Sequence, residues 1–314
     1  MSAARRGGTA TELLSLDVGD LLASRTWSTG FEMLDACLGG GLRGGELTVL
    51  GGAPGVGKTT LALQLARNIA AAGGRVSYVC YEHTGQELLT RLLLMEAGLG
   101  YPDELPVARP TRGAHSAPAQ LDRRLEYAID TVSAYGDRLR LVRGDSSPDA
   151  ELDPAVADGE APAVLVVDYL QKVPSRIGGD AVEAERVTEV VERLKDHAME
   201  HGVPVLAIVA SDRGGLENAR VRMQDLRGST AVAYEADVAL LLNEKNRVVA
   251  RHHLVYAAGD STKFQDYVVC TIEKNRSGRA NVDLELRKRF SHGCFAPEAA
   301  AVTERLVDGR VFVD

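Results

Sequence analysis

Cysteine is scarce in this 314-residue sequence, and the four copies, Cys37, Cys80, Cys270 and Cys294, are scattered. They form no C-x-x-C pair and have no histidine at metal-ligand spacing, which argues against a disulfide-stapled secreted scaffold and against zinc. A reducing cytoplasm is the expected location. Long hydrophobic runs are also missing. No apolar stretch reaches the ~18 residues of a membrane helix, and Arg5 and Arg6 are not followed by the apolar core of an export signal. A soluble protein with no membrane partner is expected. Basic charge is short as well: 36 Lys and Arg against 44 Asp and Glu leave a formal net charge of −8. No global field therefore draws nucleic acid, and any such contact must come from local loops. Hydrophobic residues, at 45%, are enough for the core of one large α/β domain or two small ones.

One stretch organises the rest. Gly52-Ala53-Pro54-Gly55-Val56-Gly57-Lys58-Thr59-Thr60 fits G-x-x-x-x-G-K-[ST], the phosphate-binding P-loop, without a mismatch. A triphosphate presents several anionic oxygens that the backbone must wrap closely, and Gly52, Gly55 and Gly57 keep side chains out of the way. The helix that opens at Lys58 turns its positive dipole end to the same anion. Lys58 is expected on the β- and γ-phosphates of ATP and the Thr59 hydroxyl on Mg²⁺. The flanks agree: Glu46–Gly51 reads as a buried strand and Leu61–Ala66 as a helix. Downstream, the strand Arg75–Tyr81 ends in Glu82. Expected beside the P-loop strand, this carboxylate is either the group that orients and deprotonates the attacking water or an inert strand-end glutamate. Helical patterns follow at 84–98 and 118–136, then a short strand at Arg138–Val142. A proline- and acid-rich surface loop spans 146–162. Ala163–Val167 is a continuous apolar strand closed by Asp168, placed to hold a Mg²⁺-bound water.

Further residues carry a family resemblance. Thr29-Gly30-Phe31 with Leu34-Asp35, then Gly40-Gly41-Leu42 with Gly45-Glu46, resemble the start of the RecA-type core shared by DnaB-type replicative helicases, RadA and KaiC. Asp168-Tyr169-Leu170-Gln171 is similar to DnaB-type helicases in particular. Leu194-Lys195 with Ala198, Asp225-Leu226-Arg227 with Ser229, Ala236-Asp237, and Lys274-Asn275-Arg276 with Gly278 continue the likeness in order over about residues 27 to 295. The resemblance implies an α/β, RecA-like P-loop fold with a mostly parallel twisted central sheet flanked by helices. A more antiparallel portion is expected from about 236 to 290. An ATPase domain at 27–295 lies between an N-terminal tail at 1–26 and a C-terminal tail at 296–314. The apolar piece Leu13–Leu22 reads as a docking helix, on its own domain or on a neighbouring subunit. Fewer than thirty residues precede the motor, so the collar domain of such helicases is not expected.

The resemblance also implies roles. Glu82 becomes the catalytic carboxylate. Lys274 and Arg276 become cationic fingers for the γ-phosphate of a neighbouring subunit, which requires a homo-oligomer, a hexameric ring or a filament. Where the family carries a γ-phosphate-sensing glutamine, this chain has Asp212. An ionised carboxylate cannot donate a hydrogen bond and repels phosphate, so either sensing is altered or an adjacent residue such as Ser211 takes it over. Two loops that face the central channel in the family carry Lys172 and Arg176, and Arg213, Arg220, Arg222 and Arg227. They lack aromatics, so contact with single-stranded DNA is expected through phosphates. The function implied is ATP-driven movement on single-stranded DNA. The alternative is an oligomeric ATP switch acting on protein partners.

Overall fold

A computed structural model of the chain describes residues 9–13, 25–107, 122–144, 164–177, 182–250 and 263–308. The loop expected at 146–162 and the apolar piece after Leu13 lie outside them. In chain order come α1 (Ala10–Leu13), β1 (Thr26–Trp27), α2 (Glu32–Leu38), β2 (Leu42–Arg43), β3 (Leu47–Gly52), α3 (Lys58–Ala71), β4 (Val76–Cys80) and α4 (Gly85–Gly100). They are followed by α5 (Arg123–Tyr135), β5 (Leu139–Arg143), β6 (Val164–Asp168), α6 (Glu183–His201), β7 (Val205–Ile208), α7 (Arg213–Glu217) and α8 (Ser229–Glu235). The last elements are β8 (Val238–Glu244), α9 (Lys245–Val248), β9 (Tyr267–Asn275), β10 (Val282–Arg289) and β11 (Cys294–Ala301).

Among the described residues the main sheet has nine strands in the order β11-β10-β9-β8-β3-β7-β6-β4-β5. From β8 to β5 the pairs are parallel, and from β8 through β11 they are antiparallel. The antiparallel portion thus starts at β9 rather than at 236, because β8 still runs with β3. The strand that leads to Glu82 is also not next to the P-loop strand: β7 and β6 lie between them. A parallel crossover must carry its helix across a face of the sheet, and the gap crossed by α3 is filled later by β6 and β7. The sheet does not stop at 295 either. β11 runs to Ala301, and Leu306 bridges Val249, so much of the expected C-terminal tail is docked.

Strand period assigns the two cores. Leu50, Tyr78, Val164, Val166, Leu206 and Leu240 turn to the face covered by α3 and α4. Leu47, Val49, Val79, Leu165, Val167 and Leu241 turn to the face covered by α6 and α8. Burial on both faces explains why β7, β6 up to Val167, and β3 apart from the buried Thr48 are apolar rather than alternating. No described helix is long and apolar enough to cross a membrane.

A buried charge sits among the helices of the first face. Glu96 of α4 is fully buried and accepts from Arg67 of α3 through both oxygens, at 2.6 and 2.8 Å, and from the Tyr135 hydroxyl of α5. Helices α4 and α5 are thereby pinned to the P-loop helix α3. Removing Arg67 strands a carboxylate in an apolar layer, at a cost of about 3–5 kcal/mol. Arg67→Ala is expected to lower the urea midpoint of unfolding accordingly, and Arg67→Ala with Glu96→Leu to recover much of the loss.

Candidate active site

β3 delivers the chain to the P-loop at Gly52, whose φ is +145° and where an added Cβ would stand 2.5 Å from the Leu242 carbonyl oxygen of β8. Only glycine lets the loop start this close to the sheet. Gly57, at φ +104°, caps α3, and an added Cβ there would meet the Phe290 ring at 2.6 Å. No side chain caps the first turn of α3, so its free N–H groups and dipole are left for an anion. Lys58 lies back across the loop, donating to Gly52 O at 2.8 Å and Ala53 O at 2.9 Å. Burial lowers its ammonium to about 8, against the opposing pull of Asp168 and Glu82.

Asp168 ends β6 directly opposite Cys80 of β4 and is buried. Burial pushes its carboxyl up, while hydrogen bonds from Tyr78, at 2.9 Å, and from Thr59 pull the other way. Thr59 and Asp168 line the same cavity at the foot of the loop. Such hard oxygen donors fit Mg²⁺, which takes one or two protein oxygens together with phosphate and water. Glu82 lies two residues beyond β4, exposed, on the wall of the same cavity of about 580 Å³. The chain turns at once into α4, whose start is held by a capping box: Glu87 N donates to the Thr84 hydroxyl at 3.2 Å, and Thr84 N donates to Glu87 Oε2 at 2.7 Å.

Lys58, Thr59, Thr60, Glu82 and Asp168 line one cavity. Arg91 and Phe290 line it too and were not singled out in the sequence. Arg91 is the sole basic residue of α4, and its Nη2 lies 3.0 Å from His83 Nε2. The available signal is a lone cation on a helix whose other charged residues are both glutamates. Phe290 follows β10 and packs edge-on against Phe295, a contact no local pattern announces.

Lys274 and Arg276 are not in this cavity. β9 runs against β8, and Asn275 lies opposite Val238, which in turn lies level with Thr48 of β3. Four residue steps, about 13 Å along the sheet, separate that level from Gly52. Arg276 Nη1 donates to Asp237 Oδ1 at 3.1 Å and Nη2 to the Tyr234 carbonyl; Lys274 Nζ donates to Ala233 O at 2.7 Å. Burial and Arg276 hold the Lys274 ammonium below its ordinary range.

Neither Ser211 nor Asp212 lines the cavity; their neighbour Ala210 does. Asp212 caps α7, accepting Gly215 N at 2.8 Å. The buried Ser211 stands against Gly215 instead. The loop cations divide. Arg220 is buried, its Nη2 donating to Asp283 at 2.6 Å and to Thr271 at 3.1 Å, so it does not project as a loop contact. Arg222 is paired with Asp308 at 2.6 Å. Arg213 is exposed beside Glu217, and Arg227 is half exposed beside Glu183. Lys172 lies over the Tyr169 ring, and Arg176 donates its backbone N–H to Glu189. Gln171 joins the two loops to the catalytic edge: Oε1 accepts Ala210 N at 3.1 Å, and Nε2 donates to Arg227 O at 3.3 Å.

Known proteins share this arrangement. The AAA domain family matches residues 16–211, and the DnaB-like helicase C terminal domain matches residues 155–292. The DNA repair protein RadA of Aquifex aeolicus is 29% identical over 58% of this chain and 32% of its own length. The replicative DNA helicase DnaB of Rickettsia bellii is 27% identical over 84% of this chain and 56% of its own. The chain spans about half of these relatives or less. Among solved structures, the ATPase domain of G40P superposes with a TM-score of 0.72 at 19% identity, covering 92% of this chain and 99% of that one. A DnaB-like replicative helicase, determined with its interactions with primase, gives 0.70 at 20% identity, covering 92% and 67%. The chain belongs to the AAA domain family; its residues 155–292 match the DnaB-like helicase C terminal domain, and its fold is like that of the ATPase domains of such helicases.

Proposed function

We propose that the chain hydrolyses Mg²⁺-ATP at a site completed by a second copy of itself, and couples that hydrolysis to movement on single-stranded DNA. The observation that carries the reading is the split of charge: the loop, the carboxylates and Arg91 share one cavity, while Lys274 and Arg276 stand near the opposite edge of the same sheet. They are too far to reach their own P-loop and are free to meet a neighbour's.

The phosphates lie on the loop N–H groups and the start of α3, and Lys58 turns from its two carbonyls to the β- and γ-oxygens. Thr59 and Asp168 would hold Mg²⁺, which supplies positive charge between those phosphates when bound. Glu82 accepts a proton from the water that attacks γ-phosphorus, and the bond to the β-γ bridging oxygen breaks to give ADP and phosphate. Arg276 of the adjoining subunit neutralises charge on the transferring group, an effect worth about 10³ to 10⁵ in rate. Gln171 supports coupling to DNA, because one side chain bonds both Ala210 on the cavity wall and Arg227 in the second loop. The switch reading draws on Asp212, committed to a helix cap, and on Arg220 and Arg222, held in ion pairs away from any polyanion.

Glu82→Gln is expected to keep ATP binding while turnover falls about 10²- to 10⁴-fold; an unchanged steady-state rate would remove Glu82 from the chemistry. Phosphate contact should restore a full charge to Lys58, so binding near pH 8 takes up about half a proton per site, and affinity declines as pH rises beyond that. Calorimetry in buffers of different ionisation enthalpy measures the uptake, and a buffer-independent heat would contradict it. Single-stranded DNA at low salt is expected to stimulate the ATPase. Arg213→Ala and Arg227→Ala should each lower the salt slope of DNA binding by about 1 without sequence preference. An ATPase rate indifferent to DNA favours the switch.

A further inference from the structure

Asp237 is buried between β3, α6 and β9, and its two carboxylate oxygens are divided among them. Oδ2 accepts Leu47 N at 2.8 Å, at the first residue of β3, and Lys195 Nζ of α6 at 2.7 Å. Oδ1 accepts Arg276 Nη1 at 3.1 Å. The backbone repeats the link, since Asp237 N donates to Leu47 O at 2.8 Å and Arg276 N donates to Asp237 O at 2.9 Å. One residue thus ties the foot of the P-loop strand to the cation at the far edge of the sheet.

The remainder of the cradle is the end of α8. The Ala233 and Tyr234 carbonyls that receive Lys274 and Arg276 belong to its last turn, where carbonyls lack intrahelical partners and the dipole is negative. Charge is left over. Asp237 is shared by Lys195 and Arg276, so the three groups together keep one positive charge before Lys274 is counted. Donors are left over too: a guanidinium has five N–H bonds, two of which are used by these side-chain contacts, and half of the Arg276 side chain is exposed. The group is held on one edge and open on the other, as an outward-acting cation must be if it is to meet a phosphate without losing its place.

We propose that Asp237 is the positioning residue for the Arg276 finger. It fixes the guanidinium at the subunit surface and ties its position to the strand that carries the same subunit's P-loop. The inference rests on the reading that Arg276 acts in trans. It adds that the finger moves with the foot of β3, so each subunit's own loop and the finger it offers are one mechanical piece. A purely structural Asp237, needed to bind β3 to α6, would act on its own subunit's site instead.

Mixed oligomers separate the two. In D237N the amide oxygen can still accept Leu47 N and Lys195, while its NH₂ opposes the guanidinium. D237N alone is expected to bind a fluorescent ATP analogue normally and to lose about 10²-fold in kcat, the scale of a small misplacement. E82Q keeps a good finger beside a dead site. Mixing it with D237N should restore turnover, because the intact D237N site receives the E82Q subunit's Arg276. R276A mixed with E82Q is the control for trans action itself. Rescue of R276A but not of D237N would overturn the proposal and leave the trans reading standing, as would loss of nucleotide binding or an unchanged kcat in D237N. Rescue of neither mixture would overturn the trans reading and the proposal with it.

Discussion

Parallel pairing of β3 with β7 and β8 stacks the strand ends so that Gly52, Asp168 and the turn after Cys80 emerge on one edge of the sheet. Antiparallel pairing of β9 with β8 sends Asn275 and its flanking cations toward the opposite edge. Everything chemical in the molecule depends on that difference in strand direction. Groups delivered by the parallel strands meet around a single cavity, and groups delivered by the antiparallel strand cannot join them within one subunit. The proposed need for a second subunit is therefore a consequence of backbone hydrogen bonding before it is a matter of surface complementarity.

Burial then decides how the charges behave. Lys58 is held on its own loop carbonyls and Asp168 on Tyr78, so both have partners before any phosphate arrives. A cation lowered to about 8 beside a carboxylate pushed upward is a pair kept away from water. The triphosphate and metal ion that we propose bind here would supply the counter-charges that such a site lacks. On the far face of α3, Arg67 and Glu96 show the opposite solution, a bidentate pair that is complete within the fold and has no work outside it.

Much of this could be read from the chain because the informative residues are local. The P-loop needs glycines and a lysine at fixed intervals, and a strand buried on both faces needs a continuous apolar run. Loop, helix α3 and Asp168 at the end of β6 are therefore visible in a few adjacent letters. Strand order is not local. That β6 and β7 separate β3 from β4 depends on which crossover fills which gap, and no window of residues carries it. For the same reason Arg220 reads as a loop cation although Asp283, sixty-three positions away, takes its charge. Phe290 reads as nothing until Gly57 is found beneath it. The chemistry of a missing glutamine points to Asp212 and Ser211 as phosphate sensors. That Asp212 caps a helix and Ser211 lies against Gly215 is visible only in the folded chain.

The central claim is that one subunit is chemically incomplete. Its most direct test is ATPase turnover per subunit across a dilution series with Mg²⁺, read alongside the mass of the ATP-bound species by sedimentation. Turnover that rises and falls with the oligomer fraction is the expected result. A monomer that hydrolyses ATP as fast per subunit as the assembled form would contradict the account.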